Sequence, residues 1–419
     1  MGSGVGTQLL GFLDSAEDRM LAMLEAFVSR DTQWSNPAGV EDLGRQVASH
    51  LSGLGFAVET VPQPRVEQER KWLADVLAPG VDYESLAATY VASRDGTGDD
   101  RVLLLGDLDT ALSASEGRPF EVRNGRVLGS GVADMKGGLV TMLWALRALS
   151  ELGILTPPLD IVLSGDEQAG SLGSSTVISR VAKGAPWTLC MECARDGGKY
   201  MISRGHIGVG RLDVSGKASH AGTDRAGGRS AIRELAQLIP AIDDLTSYDE
   251  GMLVTVTMVS GGTRRSVVPK DAMAIVDLRA LDTAGWGTLM DRLQETVRPF
   301  DSVRLRADHH RPGVEPGAQA HYLVDSIRAH SECVGGFPGT TRSTAAGSSA
   351  FAAASGSAVL DGVGPPGGAL MTDDEYVESK GMVERAALLG SLLHQLTRDR
   401  ARADSDARAT DKKEKSYER

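Results

Sequence analysis

Short apolar runs, each followed at once by acidic residues, are the feature that most restricts the fold of this chain. Residues 102–106 (VLLLG) precede Asp107 and Asp109, residues 159–164 (LDIVLS) precede Asp166 and Glu167, and residues 187–191 (WTLCM) precede Glu192. Runs of this length and composition are typical of strands that are covered on both faces. Since the carboxyl ends of parallel strands meet at one edge of a sheet, we expect these acids to lie together.

A glycine-rich turn and an apolar helix separate the first two of these runs. Residues 129–138 (GSGVADMKGG) carry Asp134 and Lys136 as their only charges, and residues 139–149 (LVTMLWALRAL) have a helical pattern. The pattern predicts that Asp134 stands at a helix N-terminus, where anions are stabilised. Strands that alternate with helices indicate an α/β fold, with a mostly parallel central sheet and helices on both faces.

The pattern changes over residues 205–313. Residues 208–215 and 252–260 alternate in polarity like antiparallel strands, and residues 229–242 between them have a helical pattern. We therefore predict a catalytic-type α/β domain from residues 1–204 and 314–397, with a smaller α+β domain of the dimerisation type inserted at 205–313. Residues 398–419 are highly charged and almost without apolar side chains, which predicts a disordered tail.

Net charge and cysteine content limit the partners and the compartment. The chain has 419 residues and a formal net charge of -12, which argues against a nucleic-acid partner because no basic cluster is evident before the tail. The sequence has no apolar run long enough for a membrane span, and its N-terminus lacks the pattern of a signal peptide. Three cysteines are too few for a disulfide framework. We expect a cytoplasmic protein with no membrane partner.

Five motifs, in their order and spacing, resemble one known family. They are residues 106–110 (GDLDT), 131–138 (GVADMKGG), 165–171 (GDEQAGS), 219–222 (SHAG) and 374–377 (DEYV). They are similar to the signatures of the two-zinc metallopeptidases and deacylases, which include glutamate carboxypeptidase, acetylornithine deacetylase and succinyl-diaminopimelate desuccinylase. The resemblance implies hydrolysis of an amide by a water that two zinc ions activate. It assigns the bridging carboxylate to Asp134, the general base to Glu167 and the support of a metal ligand to Asp109.

Three of the implied metal ligands are replaced in this sequence. The family has histidine where this chain has Asp107, glutamate where it has Gln168 and histidine where it has Met371, while Glu192 stands at the position of a carboxylate ligand. One metal would see Asp134, Gln168 and Met371, a set that suits zinc poorly. The other would see Asp107, Asp134 and Glu192, which suit a hard ion. We therefore predict a degraded metal site that holds one divalent ion (magnesium, manganese or zinc) or none.

Without a metal, the converging acids would form a cluster that holds and transfers protons. Several carboxylates close together raise one another's pKa values, and Lys136 stands among them. Our candidate catalytic residues are Glu167, Asp109, Asp107, Asp134 and Lys136.

Substrate contacts are predicted mainly from the resemblance. His220 corresponds to a residue that lines the partner subunit's active site in relatives, and Arg279 to one that grips a substrate carboxylate. Ser348 stands in the glycine-rich loop where the family has a serine-aspartate pair, and Met371 is placed among the substrate-binding residues, although we interpret it as a packing residue. The family's asparagine before the Val-Val-Pro segment is Ser266 here.

Two other sets of residues have simpler interpretations. Cys190 and Cys193 form a C-x-x-C pair, but in a strand their side chains would point to opposite faces, so we interpret them as small buried residues. His309 and His310 lie among charged residues and are most simply surface residues.

Three functions remain open at this point. The first is a repurposed enzyme without the zinc pair that acts on a small amino-acid-derived or carrier-bound substrate, for example by cyclisation or elimination such as aziridine formation in specialised (antibiotic-type) metabolism. The second is a single-metal carboxypeptidase or N-deacylase that hydrolyses N-acyl amino acids, and the third is a non-catalytic scaffold subunit. A homodimer or heteromer through the inserted domain, with a carrier or another protein as partner, is the expected assembly.

Overall fold

The computed structural model describes residues 3–345 and 347–397. Within these residues the chain forms two compact units. The first comprises the chain up to Ile202, Pro316–Arg342 and the residues from Phe351 onwards, and the second comprises Ser203–Glu315 and Ser343–Ala350. The predicted disordered tail lies outside the described residues.

The helices and strands follow in chain order. The helices are α1 (Ser3–Asp14), α2 (Glu17–Val28), α3 (Pro37–Gly53), α4 (Lys71–Leu77), α5 (Gly137–Glu151), α6 (Ser174–Ala182), α7 (Ala231–Asp243), α8 (Thr283–Val297), α9 (Ala318–His330) and α10 (Ser349–Ala354), and residues 379–397 are also helical. The strands are β1 (Ala57–Val61), β2 (Thr89–Arg94), β3 (Val102–Asp107), β4 (Glu121–Arg123), β5 (Arg126–Leu128), β6 (Leu159–Ser164), β7 (Trp187–Cys190), β8 (Tyr200–Arg204), β9 (His206–Ser215), β10 (Met252–Gly261), β11 (Asp271–Ala280), β12 (Val303–Arg311), β13 (Thr340–Ser343), β14 (Ala358–Leu360), β15 (Gly367–Gly368) and β16 (Tyr376–Glu378).

A six-stranded sheet forms the centre of the first unit. Its strand order is β1-β2-β6-β3-β7-β14, with β6, β3, β7 and β14 parallel and β2 and β1 added antiparallel at one edge. The prediction of an α/β fold with a mostly parallel central sheet is confirmed. All residues of β3 and β6 are buried, as the apolar runs predicted.

The apolar periodicity of the sequence predicted some of the helices of this unit but not all of them. Helix α5 is buried over nearly its whole length and packs against α1 and α2. The sequence pattern did not predict α1, yet its Leu9 and Leu13 are fully buried in the main core. Packing against the core therefore stabilises α1 as a helix, although its sequence has only a weak helical pattern. Within residues 3–345 and 347–397, no helix is both long and apolar enough to span a membrane.

A second sheet of four antiparallel strands forms the centre of the second unit. Its order is β10-β11-β9-β12, and α7 and α8 pack on one face of it. Leu212, Val276 and Leu278 alternate into this core, since every second residue of a strand faces the helices. The structure thus contains the α+β segment that the change of pattern predicted, with observed unit limits of Ser203–Glu315 and Ser343–Ala350.

Histidines at one end of this second sheet form a stacked cluster. His310 is only 6% exposed, so our interpretation of it as a surface residue is wrong, because an irregularity in β12 between Asp308 and Arg311 turns the chain there. His309 stacks on Trp286 with ring centroids 4.2 Å apart, and its Nε2 lies 3.0 Å from Nδ1 of buried His206.

The hydrogen bonds of this cluster require His206 to be neutral. The backbone N–H of Gly313 donates to Nδ1 of His206 at 3.1 Å, so that nitrogen is an acceptor, and His309 Nε2 must donate to it. Burial lowers the pKa of His206. Burial, and secondly the charge of His206, lowers the pKa of His309 to about 4. Proton uptake at His206 Nδ1 would displace both donors.

Acid should therefore destabilise the second unit. Because these pKa values lie below the unfolded value of about 6.5, the unfolded chain takes up protons first, and stability falls as pH drops from about 6.5 towards 4. Urea denaturation at several pH values, followed by tryptophan fluorescence, should show a weaker loss in acid for His309→Asn than for the natural chain. Equal slopes for the two proteins would contradict this assignment.

Candidate functional site

Asp107 ends β3 at the carboxyl edge of the central sheet. Its register partner on β6 is Ser164, whose hydroxyl donates to Asp107 Oδ1. Asp107 as a whole is 2% exposed. As the parallel register predicted, the ends of β3 and β6 place their polar residues side by side.

Asp109 holds the turn that follows β6. Its Oδ1 accepts the backbone N–H of Glu167 at 3.0 Å, and its Oδ2 accepts the backbone N–H of Gln168 at 2.8 Å. Asp109 itself is fully buried, whereas Glu167 is only partly buried. The two hydrogen bonds fix the backbone from which the Glu167 side chain projects, so Asp109 is a positioning residue in this structure.

Asp134 lies in the irregular turn Val132–Lys136 that precedes α5. Its backbone is not helical, with φ -122° and ψ 84°, and α5 begins only at Gly137. The prediction that Asp134 stands at the helix N-terminus is therefore wrong. Asp134 lies three residues before α5, because the segment Val132–Lys136 has non-helical backbone at Asp134 and Met135. Asp134 is 8% exposed, and its Oδ2 accepts a hydrogen bond from Nε2 of Gln168 at 3.1 Å.

Glu375 holds this turn in place, a role that the sequence did not predict. Its Oε2 accepts the N–H of Gly131 at 3.0 Å, and its Oε1 accepts those of Ala133 at 2.9 Å and Asp134 at 3.0 Å. The residue is 3% exposed. Glu375 belongs to the motif at 374–377. The sequence around it does not indicate that its carboxylate binds the backbone of residues 131–134, which lie far away in the chain.

Lys136 supports the same turn through a backbone contact. It is 1% exposed, and its Nζ donates to the carbonyl of Arg30 at 3.1 Å. Burial lowers its pKa to about 8, against the opposing charge of Glu375. The ammonium group thus links the turn to the backbone at Arg30. Its predicted part in acid–base catalysis stays a prediction.

The acids at the sheet edge act strongly on one another. Burial, and then the charge of Glu167, raises the pKa of Asp107 well above its ordinary value. The same two causes raise the pKa of Asp109. For Asp134 the pKa is also well raised, by burial first and then by Glu192 and Glu167. The structure therefore brings together the acids that the strand ends predicted.

Glu192 completes this group of acids. It is 4% exposed, and Oε2 lies 4.0 Å from Nη2 of Arg195. Its neighbours Cys190 and Cys193 are both buried and form no disulfide within the described residues, which confirms their interpretation as small buried residues. Among the residues the structure describes, no three His, Cys, Asp or Glu side chains surround a common point closely enough to hold a metal ion. A cation at Asp107, Asp134 and Glu192 would have to draw their oxygen atoms together.

Met371 does not pack in the core. Its side chain is 50% exposed and its φ is +60°. The interpretation of Met371 as a packing residue is therefore wrong, because the tight turn after β15 directs it outward. Its assignment to substrate binding stays a prediction.

The remaining predicted substrate residues belong to the second unit. His220 is exposed, and its Nδ1 accepts N–H groups of Gly222 and Thr223 at 3.2 and 3.1 Å, which leaves Nε2 to carry the proton of the neutral ring. Arg279 is paired with Asp277, with Nε and Oδ1 2.7 Å apart. Ser348 is 1% exposed. Ser348 thus has limited access for a ligand, whereas the Arg279 side chain is 37% exposed, and all three assignments stay predictions.

Comparison with known proteins identifies the family of this site. The profile of Peptidase family M20/M25/M40 matches residues 103–395. This chain belongs to that family. Carboxypeptidase G2 of Pseudomonas sp. (strain RS-16) is 26% identical over 388 residues, which cover 90% of this chain and 89% of that protein.

Two solved peptidase structures have the same fold. A tripeptidase from Staphylococcus aureus superposes with a TM-score of 0.71 at 19% identity, covering 91% of this chain and 99% of its own. A dinuclear metal-binding M20 peptidase from Bacillus subtilis superposes with a TM-score of 0.65 at 10% identity, covering 92% of this chain and 99% of its own. Family membership supports an enzyme, and it confirms the resemblance that the five motifs carried.

Proposed function

We propose that this M20 protein is an enzyme without the two-zinc pair, and that it acts on a small amino-acid-derived or carrier-bound substrate by acid–base chemistry of its carboxylates. Intramolecular ring closure or elimination is the reaction type that this arrangement favours. A reaction of this type needs a fixed substrate and one proton transfer. It does not need an activated water.

The hydrogen bond from Gln168 to Asp134 is the observation that carries this proposal. In the two-zinc family the residue at 134 bridges both metals and the residue at 168 is a carboxylate ligand. Here the Gln168 amide donates to Asp134 Oδ2 at 3.1 Å, so a neutral donor occupies one oxygen of the carboxylate that would hold a metal. With a thioether at position 371, this half of the site lacks the charge and the imidazole that zinc prefers.

Glu167 is the proposed base. Asp109 fixes its backbone, and the side chain is partly exposed, so a substrate can reach it. In a ring closure, a substrate amine would form a bond to the carbon that carries the leaving group. The bond to that group breaks with its electron pair, and the amine proton passes to the Glu167 carboxylate. The buried Asp134 and the partly buried Gln168 would orient the substrate's polar groups.

A single hard cation is compatible with the donor chemistry of the other half of the site. Asp107, Asp134 and Glu192 are 2%, 8% and 4% exposed and offer carboxylate oxygens only. Magnesium or manganese prefers such ligands, and the ion would neutralise their charge and polarise a bound carbonyl. This favours a second candidate function, a single-metal carboxypeptidase or N-deacylase, which the likeness to carboxypeptidase G2 also supports.

Restoring the family's ligands should restore zinc binding. We expect the natural chain to hold at most one divalent ion, and the variant Asp107→His/Gln168→Glu/Met371→His to gain affinity for about two zinc ions, because imidazole and carboxylate replace weak donors. Plasma mass spectrometry after incubation with zinc, manganese or magnesium measures the metal content.

The matched control adds Asp134→Asn to this triple variant and should lose the gained zinc. Two zinc ions in the natural chain would refute the proposal. One magnesium or manganese ion, with metal-dependent cleavage of N-acyl amino acids, would favour the second candidate function instead.

The edge strand β10 supports a dimer through the inserted unit. Among the described strands it pairs with β11 on one side only, and its Met258 and Val259 are 50% and 57% exposed. Unpaired edge strands with apolar residues favour pairing with a second chain. The predicted domain limits, the assembly and the cytoplasmic location remain part of this proposal.

A further inference from the structure

A dense group of exposed cations lies at one end of the second unit. Two segments, residues 216–235 and 260–271, contribute it, and all of its members are exposed: Lys217, Arg225, Arg229, Arg233, Arg264, Arg265 and Lys270. We name this group the basic patch. The same segments contain only three acids, Asp224, Glu234 and Asp271, in a chain whose formal net charge is -12. The expectation that no basic cluster precedes the tail is therefore wrong, because the cations are divided between two segments that only the fold joins.

Backbone hydrogen bonds hold these segments together. Lys217 and Arg229 exchange N–H···O bonds of 2.8 and 2.9 Å, and the N–H of Gly216 donates to the carbonyl of Lys270 at 2.6 Å. The N–H of Ala221 donates to Ser266 at 2.8 Å, next to Arg265. A Cβ at Gly216 would lie 2.2 Å from the carbonyl oxygen of Arg229, so this close approach requires glycine. The backbone positions of the residues in the basic patch are therefore fixed relative to one another.

Few of these cations are neutralised within the protein. Arg229 lies 4.0 Å from Glu234, and Lys270 lies 3.7 Å from Asp271. The third acid, Asp224, accepts the N–H of Gly227 three residues later and stabilises the turn between them. In the described part of the chain, no carboxylate within 4.0 Å pairs with the other five cations: Lys217, Arg225, Arg233, Arg264 and Arg265.

Like charges at this density repel one another and destabilise the isolated fold. A surface of this kind in an acidic protein is compensated when a complementary anionic surface covers it. His220, with its Nε2 directed away from its own turn, lies on the same loop as Arg225. An anion bound at the patch would therefore lie next to an exposed imidazole.

We infer that the basic patch binds an acidic protein partner, which presents clustered carboxylates to the arginines. Three observations favour a protein over a nucleic acid. Neither segment contains a Phe, Tyr or Trp on which bases could stack. Five of the seven cations are arginines, which are enriched at protein interfaces, and the apolar Ile232 is 44% exposed beside Arg233.

Fluorescence anisotropy with three labelled probes of equal charge tests the inference. The probes are a peptide of about twelve glutamates with leucines at helical spacing, an oligoglutamate and an oligo-dT strand. The full protein should bind the Glu/Leu peptide most tightly, and the affinity should fall as salt rises from about 50 to 200 mM. The variant Arg225→Glu/Arg264→Glu/Arg265→Glu should bind that peptide at least about tenfold more weakly.

A variant with the same change of charge elsewhere is the matched control. Arg123→Glu/Arg304→Glu/Arg342→Glu reverses three exposed arginines outside the patch and should keep peptide affinity within about twofold of the natural value. Tighter binding of oligo-dT than of either peptide, equal losses in the two variants, or no peptide binding at low salt would each overturn the inference. Circular dichroism of both variants excludes loss of folding as the cause.

Discussion

Replacement of Glu167 by glutamine should lower turnover by about 10²–10⁴-fold, the contribution of a positioned general base. The substitution keeps size and shape and removes only the ability to accept a full proton. Asp109 holds residue 167 through its backbone N–H at 3.0 Å, so the turn itself should keep its conformation. Turnover would be followed by mass spectrometry, with N-acyl amino acids and with amino acids that carry a leaving group beside an amine.

The control for this experiment is Glu121→Gln, an exposed residue of β4, which should retain full activity. Glu167→Gln should unfold in urea at nearly the natural midpoint, which separates chemistry from stability. If the variant kept more than about a tenth of the natural turnover, the assignment of Glu167 as base would fail. If neither substrate class were converted by the natural protein, a scaffold function would become the better explanation.

Replacement of Glu375 by alanine should cost about 3–5 kcal/mol of unfolding free energy. Three buried backbone N–H groups would lose a charged acceptor, and the buried Lys136 would lose the charge that most stabilises its ammonium group. Removing one partner of a buried charged network carries a penalty of this size. Since domains are stable by only about 5–15 kcal/mol, the effect would be large in urea denaturation.

Glu375→Gln provides the matched comparison. A glutamine can still accept the N–H groups of Ala133 and Asp134 through one oxygen, but its amide nitrogen would face the N–H of Gly131. We expect a smaller loss of stability and a local effect, seen as faster hydrogen exchange at residues 131–134. An alanine variant within about 1 kcal/mol of the natural protein, with unchanged exchange, would show that Glu375 does not hold the turn.

The position of Glu375 also relates stability to the proposed chemistry. The side-chain carboxylate of Asp134 accepts a hydrogen bond from the Gln168 amide. The backbone N–H of Asp134 donates to the carboxylate of Glu375. Movement of the 131–134 turn would therefore displace Asp134 from Gln168. We expect activity in the Glu375 variants to fall together with protection of this turn.

Several features could be read directly from the sequence, each for a local reason. The apolar runs at 102–106 and 159–164 were typical of buried strands, and both are fully buried in β3 and β6. Because parallel strands end at one edge, the positions of Asp107, Asp109 and Glu167 near one another followed from chain order alone. The replacements at 107, 168 and 371 were likewise visible without a structure.

Other features depended on contacts between residues far apart in the chain. The bond from Gly131 to Glu375 joins residues 244 positions apart, and neither residue has a local pattern that indicates the other. The basic patch was divided between residues 216–235 and 260–271, so its charge density was hidden in the linear order. His310 looked like a surface residue until the irregular pairing of β12 buried it.

The sequence by itself thus determined the α/β architecture, the family and the set of acids at the sheet edge, because periodicity, strand ends and motifs are local properties of the chain. The tertiary structure alone decided which groups touch: the Gln168 amide on Asp134, the Asp109 carboxylate under the Glu167 turn and the outward direction of Met371. Hydrogen-bond partners and burial depend on how distant segments pack together, and packing is a property of the folded chain as a whole.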